Sequence, residues 1–239
     1  MPMDYFVWAL VSPERTIVVD TGFDRSGAEA RKRELLRPVE EGLAAIGVDH
    51  RIVRDVVFTH LHYDHCGNRH LFPEARFHVQ DSEMQFATGR CMCHETFRTH
   101  YEMEDVLTMV RRTFTGRTEF HSGATELAPG VTLHHVGGHT LGMQVVRVKT
   151  QRGFVVLASD VSHYYENIEK DRAFPAVYSI GALLDAYRDV RRLASSGSHV
   201  IPGHDPLVLR TYPPSAPSLV GLAARLDLDP IQPFPAATE

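Results

Sequence analysis

The stretch Asp55-Val56-Val57-Phe58-Thr59-His60-Leu61-His62-Tyr63-Asp64-His65 decides the reading of this chain. Val56 to Phe58 form an apolar run that reads as a buried strand, since β-branched and aromatic side chains suit a pleated surface covered on both faces. Three imidazoles and a carboxylate then fall between His60 and His65. On an extended backbone, residues two apart project to the same side, so His60 and His62 can reach one ion. Asp64 and His65 belong to the turn that follows and can face a second. Neutral imidazole and carboxylate suit zinc, and also iron, manganese or cobalt. The plain alternative is a surface turn rich in His, and spacing this dense argues against it.

Further along the chain the same pattern recurs. Gly137-Gly138-His139-Thr140 follows the segment from Val131 to Val136, and Ser159-Asp160 ends the run Phe154-Val155-Val156-Leu157-Ala158. Pro202-Gly203-His204-Asp205 follows His199-Val200-Ile201. Each places a ligand type at the C-terminal end of an expected strand, where a loop carries chemistry on a rigid support. A lone His is weak evidence, being more often a satisfied surface or core residue. An ordered series after the first motif is stronger.

This ordered set resembles the metallo-β-lactamase superfamily, from about Val7 to about Leu209. The HxHxDH motif stands as His60, His62, Asp64 and His65, the later ligands match at His139, Asp160 and His204, and Asp20-Thr21-Gly22 matches an early strand-end motif. The resemblance implies a first metal on His60, His62 and His139, a second on Asp64, His65 and His204, and Asp160 as the bridge. It implies two divalent ions, zinc by default, and hydrolysis by water activated between them. Asp64 would orient that water and pass a proton to the leaving group.

Composition agrees with one enzyme domain. A chain of 239 residues that is 43% hydrophobic can bury a substantial core. A formal net charge of −5 provides no basic excess for a nucleic-acid partner. The apolar stretch from Tyr5 to Val11 is short and lacks a positive leader, so neither membrane nor export is expected and a cytoplasmic address follows. Cys66, Cys91 and Cys93 cannot build a disulfide framework. Cys66 reads as a small buried side chain under the metal loop, and Cys91-Met92-Cys93-His94 as a pocket-lining or oxidation-prone segment without a fourth metal ligand.

The coarse pattern alternates strands and helices in two halves. Strands are expected at Tyr5 to Val11, Thr16 to Val19, Asp55 to Thr59 and Arg76 to Gln80, then at Val131 to Val136, Met143 to Val148 and Gly153 to Asp160. Helices are expected at Val39 to Ile46, Asp81 to Ala87 and Glu102 to Thr113. Ile180, Leu183, Leu184, Tyr187, Val190 and Leu193 recur at helical spacing and give an amphipathic helix. The expected class is α/β: an αββα sandwich of two mixed sheets flanked by helices, which is also the superfamily's fold. Residues 1–210 form one domain in this reading. Residues 211–239 form a Pro-rich tail with a short helix around Leu219 to Leu226.

Within the superfamily the chain is most similar to the N-acyl-homoserine lactone lactonases, through the segment from Phe77 to Glu83, the helix-rich insert from Met84 to Phe114 and the aromatic stretch after Asp160. In those quorum-quenching enzymes a Tyr three residues after the bridging Asp donates to the lactone. Here that position is His163, followed by Tyr164 and Tyr165. His163 or Tyr164 would supply the donor. Met84, Phe86, Met92 and Phe97, with Tyr101 and Met103, would line an acyl pocket, and Phe23, Asp24, Arg90 and Arg98 would border it. The lactonases also carry a strand and a lining loop ahead of the part matching Tyr5 to Val11; this sequence starts after them, so the expectation is either a more open pocket or a start that is internal. The expected partner is a small lactone or ester, with a homodimer as one arrangement. Other readings are another lactonase, esterase or thioesterase of the glyoxalase II kind, and a metal-stabilised binding protein without turnover.

Overall fold

The computed structural model describes residues 2–232; residues 233–239 of the expected Pro-rich tail lie outside the described residues. The chain divides into two units, Tyr5–Ser122, and Gly123–Glu239 together with Met1–Asp4. Each is built on one mixed five-stranded sheet.

In the Tyr5–Ser122 unit the strands are β1 (Trp8–Val11), β2 (Thr16–Val19), β3 (Asp55–Val57), β4 (Arg76–Gln80) and β5 (Thr118–His121), in that spatial order. β1 and β2 form an antiparallel hairpin, whereas β2 to β5 run parallel. Parallel strands need crossovers, and helices supply them: α1 (Arg25–Ala30), α2 (Val39–Ala45), α3 (Tyr63–Cys66), α4 (Asp81–Ala87), α5 (Glu95–Arg98) and α6 (Met103–Phe114). Burial follows the apolar runs. Ile17, Val18, Val19, Val56, Val57, Phe58, Phe77 and Val79 are all buried, and Phe58 stacks on Phe77 with ring centroids 5.1 Å apart.

The second unit orders its strands β10-β9-β8-β7-β6: β6 (Ala124–Ala128), β7 (Val131–His135), β8 (Gln144–Thr150), β9 (Gly153–Ser159) and β10 (Val200–Pro202). Three antiparallel ladders join β6 to β9, and β10 returns parallel to β9. Its helices are α7 (Tyr165–Glu169), α8 (Ile180–Leu193) and α9 (Leu207–Thr211). The helix read from its periodicity, α8, buries Leu183, Ala186, Tyr187 and Val190 in one cluster with Val145, Val156 and Ala158 of the sheet and Met143 just before β8.

The expected class is borne out: two mixed five-stranded sheets with helices. β5 and β6 were not expected, because as edge strands they carry polar residues and lack an apolar run. The short helix expected around Leu219 to Leu226 is instead a 3-10 turn at Pro217–Leu219, followed by a bridge pairing Pro214 with Ala224. Among the described residues no helix is long and apolar enough to cross a membrane.

Candidate metal centre

In the first unit the parallel register brings the ends of β2 and β3 side by side, Val19 opposite Val57. Asp20 follows β2 with φ 58°, a left-handed conformation rare outside glycine, and its carboxylate is fully buried. Three donors hold it there: Thr59 N–H at 2.8 Å, Thr59 Oγ1–H at 2.7 Å and His65 Nδ1–H at 2.8 Å. Thr21 N–H donates to the His65 carbonyl at 2.6 Å. The strand-end turn Asp20-Thr21-Gly22 therefore supports the His loop. A carboxylate at Nδ1 fixes the proton on that nitrogen of His65 and leaves the Nε2 lone pair for a ligand bond.

The four candidate ligands of this unit converge. The His60 and His62 rings lie 4.4 Å apart, the His60 and His65 rings 4.1 Å, and His65 Nε2 stands 3.7 Å from Asp64 Oδ2. His60, His62 and His65 are buried, and Asp64 is almost so. Beneath them Cys66 is fully buried, its thiol directed to Asp105 Oδ2 at 3.7 Å. Burial raises that thiol well above the ordinary range, so it stays protonated.

In the second unit one carboxylate organises the loops. Asp160 Oδ2 lies 3.3 Å from His139 Nε2 and 3.1 Å from His163 Nε2, while Oδ1 lies 2.9 Å from His204 Nε2. His139 donates its Nδ1–H to the Ala176 carbonyl at 2.7 Å, and His204 donates its Nδ1–H to the Asp4 carbonyl at 2.7 Å. Both imidazoles thus turn Nε2 toward Asp160. Two glycines make the approach possible. A Cβ on Gly203 would stand 2.6 Å from Asp160 Oδ1, and one on Gly138, at φ 93°, would stand 2.6 Å from the Leu183 Cα. Ser159, just before Asp160, takes φ 46°.

The donor set fits divalent metal. His65, His139 and His204 each spend Nδ1–H on an oxygen acceptor, which is how protein imidazoles present Nε2 to an ion. Asp64 and Asp160 add the hard oxygen ligands that zinc, iron or manganese accept. Among the described residues Cys91, Cys93 and His94 bring no such group of three together.

The remaining candidates are placed as follows. His163 stacks on Phe174 at 3.6 Å with its Nε2 on Asp160, whereas the Tyr164 hydroxyl donates to the Pro2 carbonyl at 3.2 Å. Phe86 is buried against Phe97, centroids 5.6 Å apart, and Met84 and Met92 are half-buried. Tyr101, expected in the apolar lining, is buried with its hydroxyl on Glu83. Met103 is exposed, and Arg98 binds the Met92 carbonyl at 3.0 Å. Phe23 packs in a buried cluster with Tyr63, and Asp24 caps α1 through Gly27 N–H. The carbonyls of Ala176 and Asp4 carry no sequence signal, since any residue offers one. Glu83 carried one: an acidic residue inside an otherwise helical, half-apolar segment.

The metallo-β-lactamase superfamily's family model matches residues 2–204. The chain therefore belongs to that superfamily, and it is a metal-dependent hydrolase. It is similar to an N-acyl homoserine lactonase of Bacillus cereus, 27% identical over 83% of this chain and 81% of the relative. Another N-acyl homoserine lactonase, from a Bacillus species, is 28% identical over 85% of this chain and 82% of its own. Among solved structures, a quorum-quenching N-acyl homoserine lactone lactonase superposes with a TM-score of 0.71 at 25% identity, covering 85% of this chain and 80% of that one.

Proposed function

We propose that the protein opens the ring of an N-acyl-homoserine lactone, using two divalent metal ions, zinc by default, held by one set of seven ligands. His60, His62 and His139 would hold the first ion, Asp64, His65 and His204 the second, and Asp160 both. The observation that carries the two-ion reading is the division of Asp160: one carboxylate oxygen meets His139 and the other meets His204. Such a pair of ions supplies Lewis acidity, lowering the pKa of water toward neutrality and polarising the scissile carbonyl.

The chain's own residues do the rest. Asp20 and the Ala176 and Asp4 carbonyls keep three imidazoles in the tautomer that binds. Asp64, in the first turn of α3, accepts the proton of the attacking water and returns it to the alkoxide oxygen as the ester C–O bond breaks. The product is the open hydroxy acid. The His163 N–H that rests on Asp160 would turn to the developing oxyanion, the part played by Tyr in the lactonases this chain resembles. The half-buried Met84, Met92 and Phe97, with Phe86 behind, offer an apolar bed for an acyl chain. The names of the relatives support this substrate class.

Proton release by metal-quantified protein tests the reading against homoserine lactones of graded acyl length, γ- and δ-lactones and a thioester. Release that improves with acyl length is expected. Turnover confined to the thioester would overturn the substrate, and fewer than two ions per chain would overturn the centre. Asp160→Ala should abolish turnover and lower metal content together; a fully metallated, active variant would refute its assignment.

A further inference from the structure

Glu83, in the third position of α4, is a fully buried carboxylate. Its Oε1 accepts the Leu61 N–H at 2.9 Å and the Tyr101 O–H at 2.9 Å. Leu61 is the residue between His60 and His62, and its side chain is itself fully buried. On the other side of His62, the Tyr63 N–H donates to the His100 carbonyl at 3.0 Å. The peptide N–H groups before and after His62 are therefore both tied to groups outside the loop. The Tyr101 ring completes the arrangement, set edge-to-face against His62 at 4.7 Å and 84°.

A carboxylate taken out of water is costly unless hydrogen-bonded, and a charge-assisted bond to a peptide N–H is about twice as strong as a neutral one. A carboxylate oxygen only accepts, so the Tyr101 phenol is the donor of this pair. Leu61 N–H and Tyr101 O–H thus meet on one oxygen, which couples the ring that packs on His62 to the backbone that carries it. The helix-rich insert reaches the metal loop through this contact as well as through any substrate pocket.

We propose that Glu83 and Tyr101 are a positioning pair that fixes the backbone and ring of His62 for metal binding. The proposal rests on the reading of His62 as a ligand. Outer partners of metal ligands, when removed, cost about 10–100-fold in metal affinity. Removing the Tyr101 hydroxyl leaves ring, volume and burial nearly intact, so a change in the metal would not be a change in fold.

The test is a cobalt(II) titration of the full chain, read by visible absorption and by metal content, with Tyr101→Phe, Glu83→Gln, Glu83→Ala and His62→Ala alongside. Tyr101→Phe should keep its melting temperature within a few degrees, bind the ion about 10–100-fold more weakly and shift the cobalt bands. Glu83→Gln, which retains an oxygen acceptor for Leu61 N–H, should fall between the wild type and Glu83→Ala. If Tyr101→Phe and Glu83→Gln match the wild type in affinity and spectrum while His62→Ala does not, the pair is structural only and the proposal fails. If His62→Ala also matches the wild type, the ligand reading fails, and the proposal with it. Should Glu83→Ala not fold, Tyr101→Phe and Glu83→Gln still decide.

Discussion

His163 has its ring face on Phe174 and its Nε2 on Asp160, while the hydroxyl of its neighbour Tyr164 is engaged with Pro2. Both candidate donors are engaged, His163 by Asp160 and Tyr164 by the N-terminal segment, so a variant of each separates them. His163→Phe should lower kcat about 10²–10³-fold, the usual effect of losing one oxyanion donor, and weaken metal binding as well, because its Nε2 meets Asp160; Tyr164→Phe should leave kcat within a few-fold and metal content unchanged. Steady-state kinetics on the two variants checks both. A second residue-scale prediction concerns His121. It ends the edge strand β5, its ring stacked with His78, whose Nδ1 is 3.0 Å from His121 Nε2; His78 in turn donates to Asp55 at 3.1 Å. Burial, then the neighbouring His78, lower the His121 pKa below 6.5. The native state binds that proton less readily than the unfolded chain, so the stabilisation is fully present above pH 6.5 and is lost as pH falls through the lower folded value. Asp55, held below 3.8 chiefly by its hydrogen bond from His78, adds a loss at still lower pH. Denaturant melts of His121→Phe between pH 7 and 5 should show a shallower acid limb than the wild type. The side chains that converge were legible residue by residue, because imidazoles two apart at a strand end stand out from an ordinary turn. Their holders were not, since a backbone carbonyl such as that of Ala176 is the same atom in every residue.

Among the elements, α8 links periodicity to chemistry most directly. Its N-cap Ser179 accepts from Ala182 N–H at 3.4 Å, and Ser179 N–H donates to the Gly138 carbonyl at 2.9 Å. Tyr178 N–H donates to the His139 carbonyl at 3.0 Å, so the start of the helix grips the loop that presents His139. Ser179→Ala should cost about 1 kcal/mol of unfolding free energy, read by urea denaturation. The helix was legible because Leu183, Ala186, Tyr187 and Val190 fall on one buried stripe. The run from Val56 to Phe58 was legible because a strand covered on both faces must be continuously apolar. β5 and β6 escaped notice for the opposite reason. An edge strand needs only one partner and tolerates Glu119 and Glu126 on its exposed positions, so its sequence carries little pattern. The short helices α1 and α3 escaped as well, because four to six residues hold too few turns for periodicity to register.

At the scale of the whole molecule, metal binding and stability are linked. Any ion bound by the native chain and not by the unfolded one stabilises it, by about 2.7 kcal/mol at a free concentration a hundred times Kd. For a chain of this size that is roughly 5–10 °C in Tm. Adding a chelator should therefore lower the melting temperature by about that amount, and zinc or cobalt should restore it; an unchanged melt in calorimetry would separate the site from folding. The N-terminal segment belongs to the same picture. Asp4 N–H donates to the His204 carbonyl at 3.0 Å, the His204 imidazole donates back to the Asp4 carbonyl at 2.7 Å, and Tyr164 donates to Pro2. For anyone producing the protein, this choice of anchor decides where an affinity handle goes. A polyhistidine sequence fused just ahead of Pro2 would hang a string of spare imidazoles within a few residues of His204 and tug on the strap that orients it, so a handle placed there has to be cleaved before metal is measured.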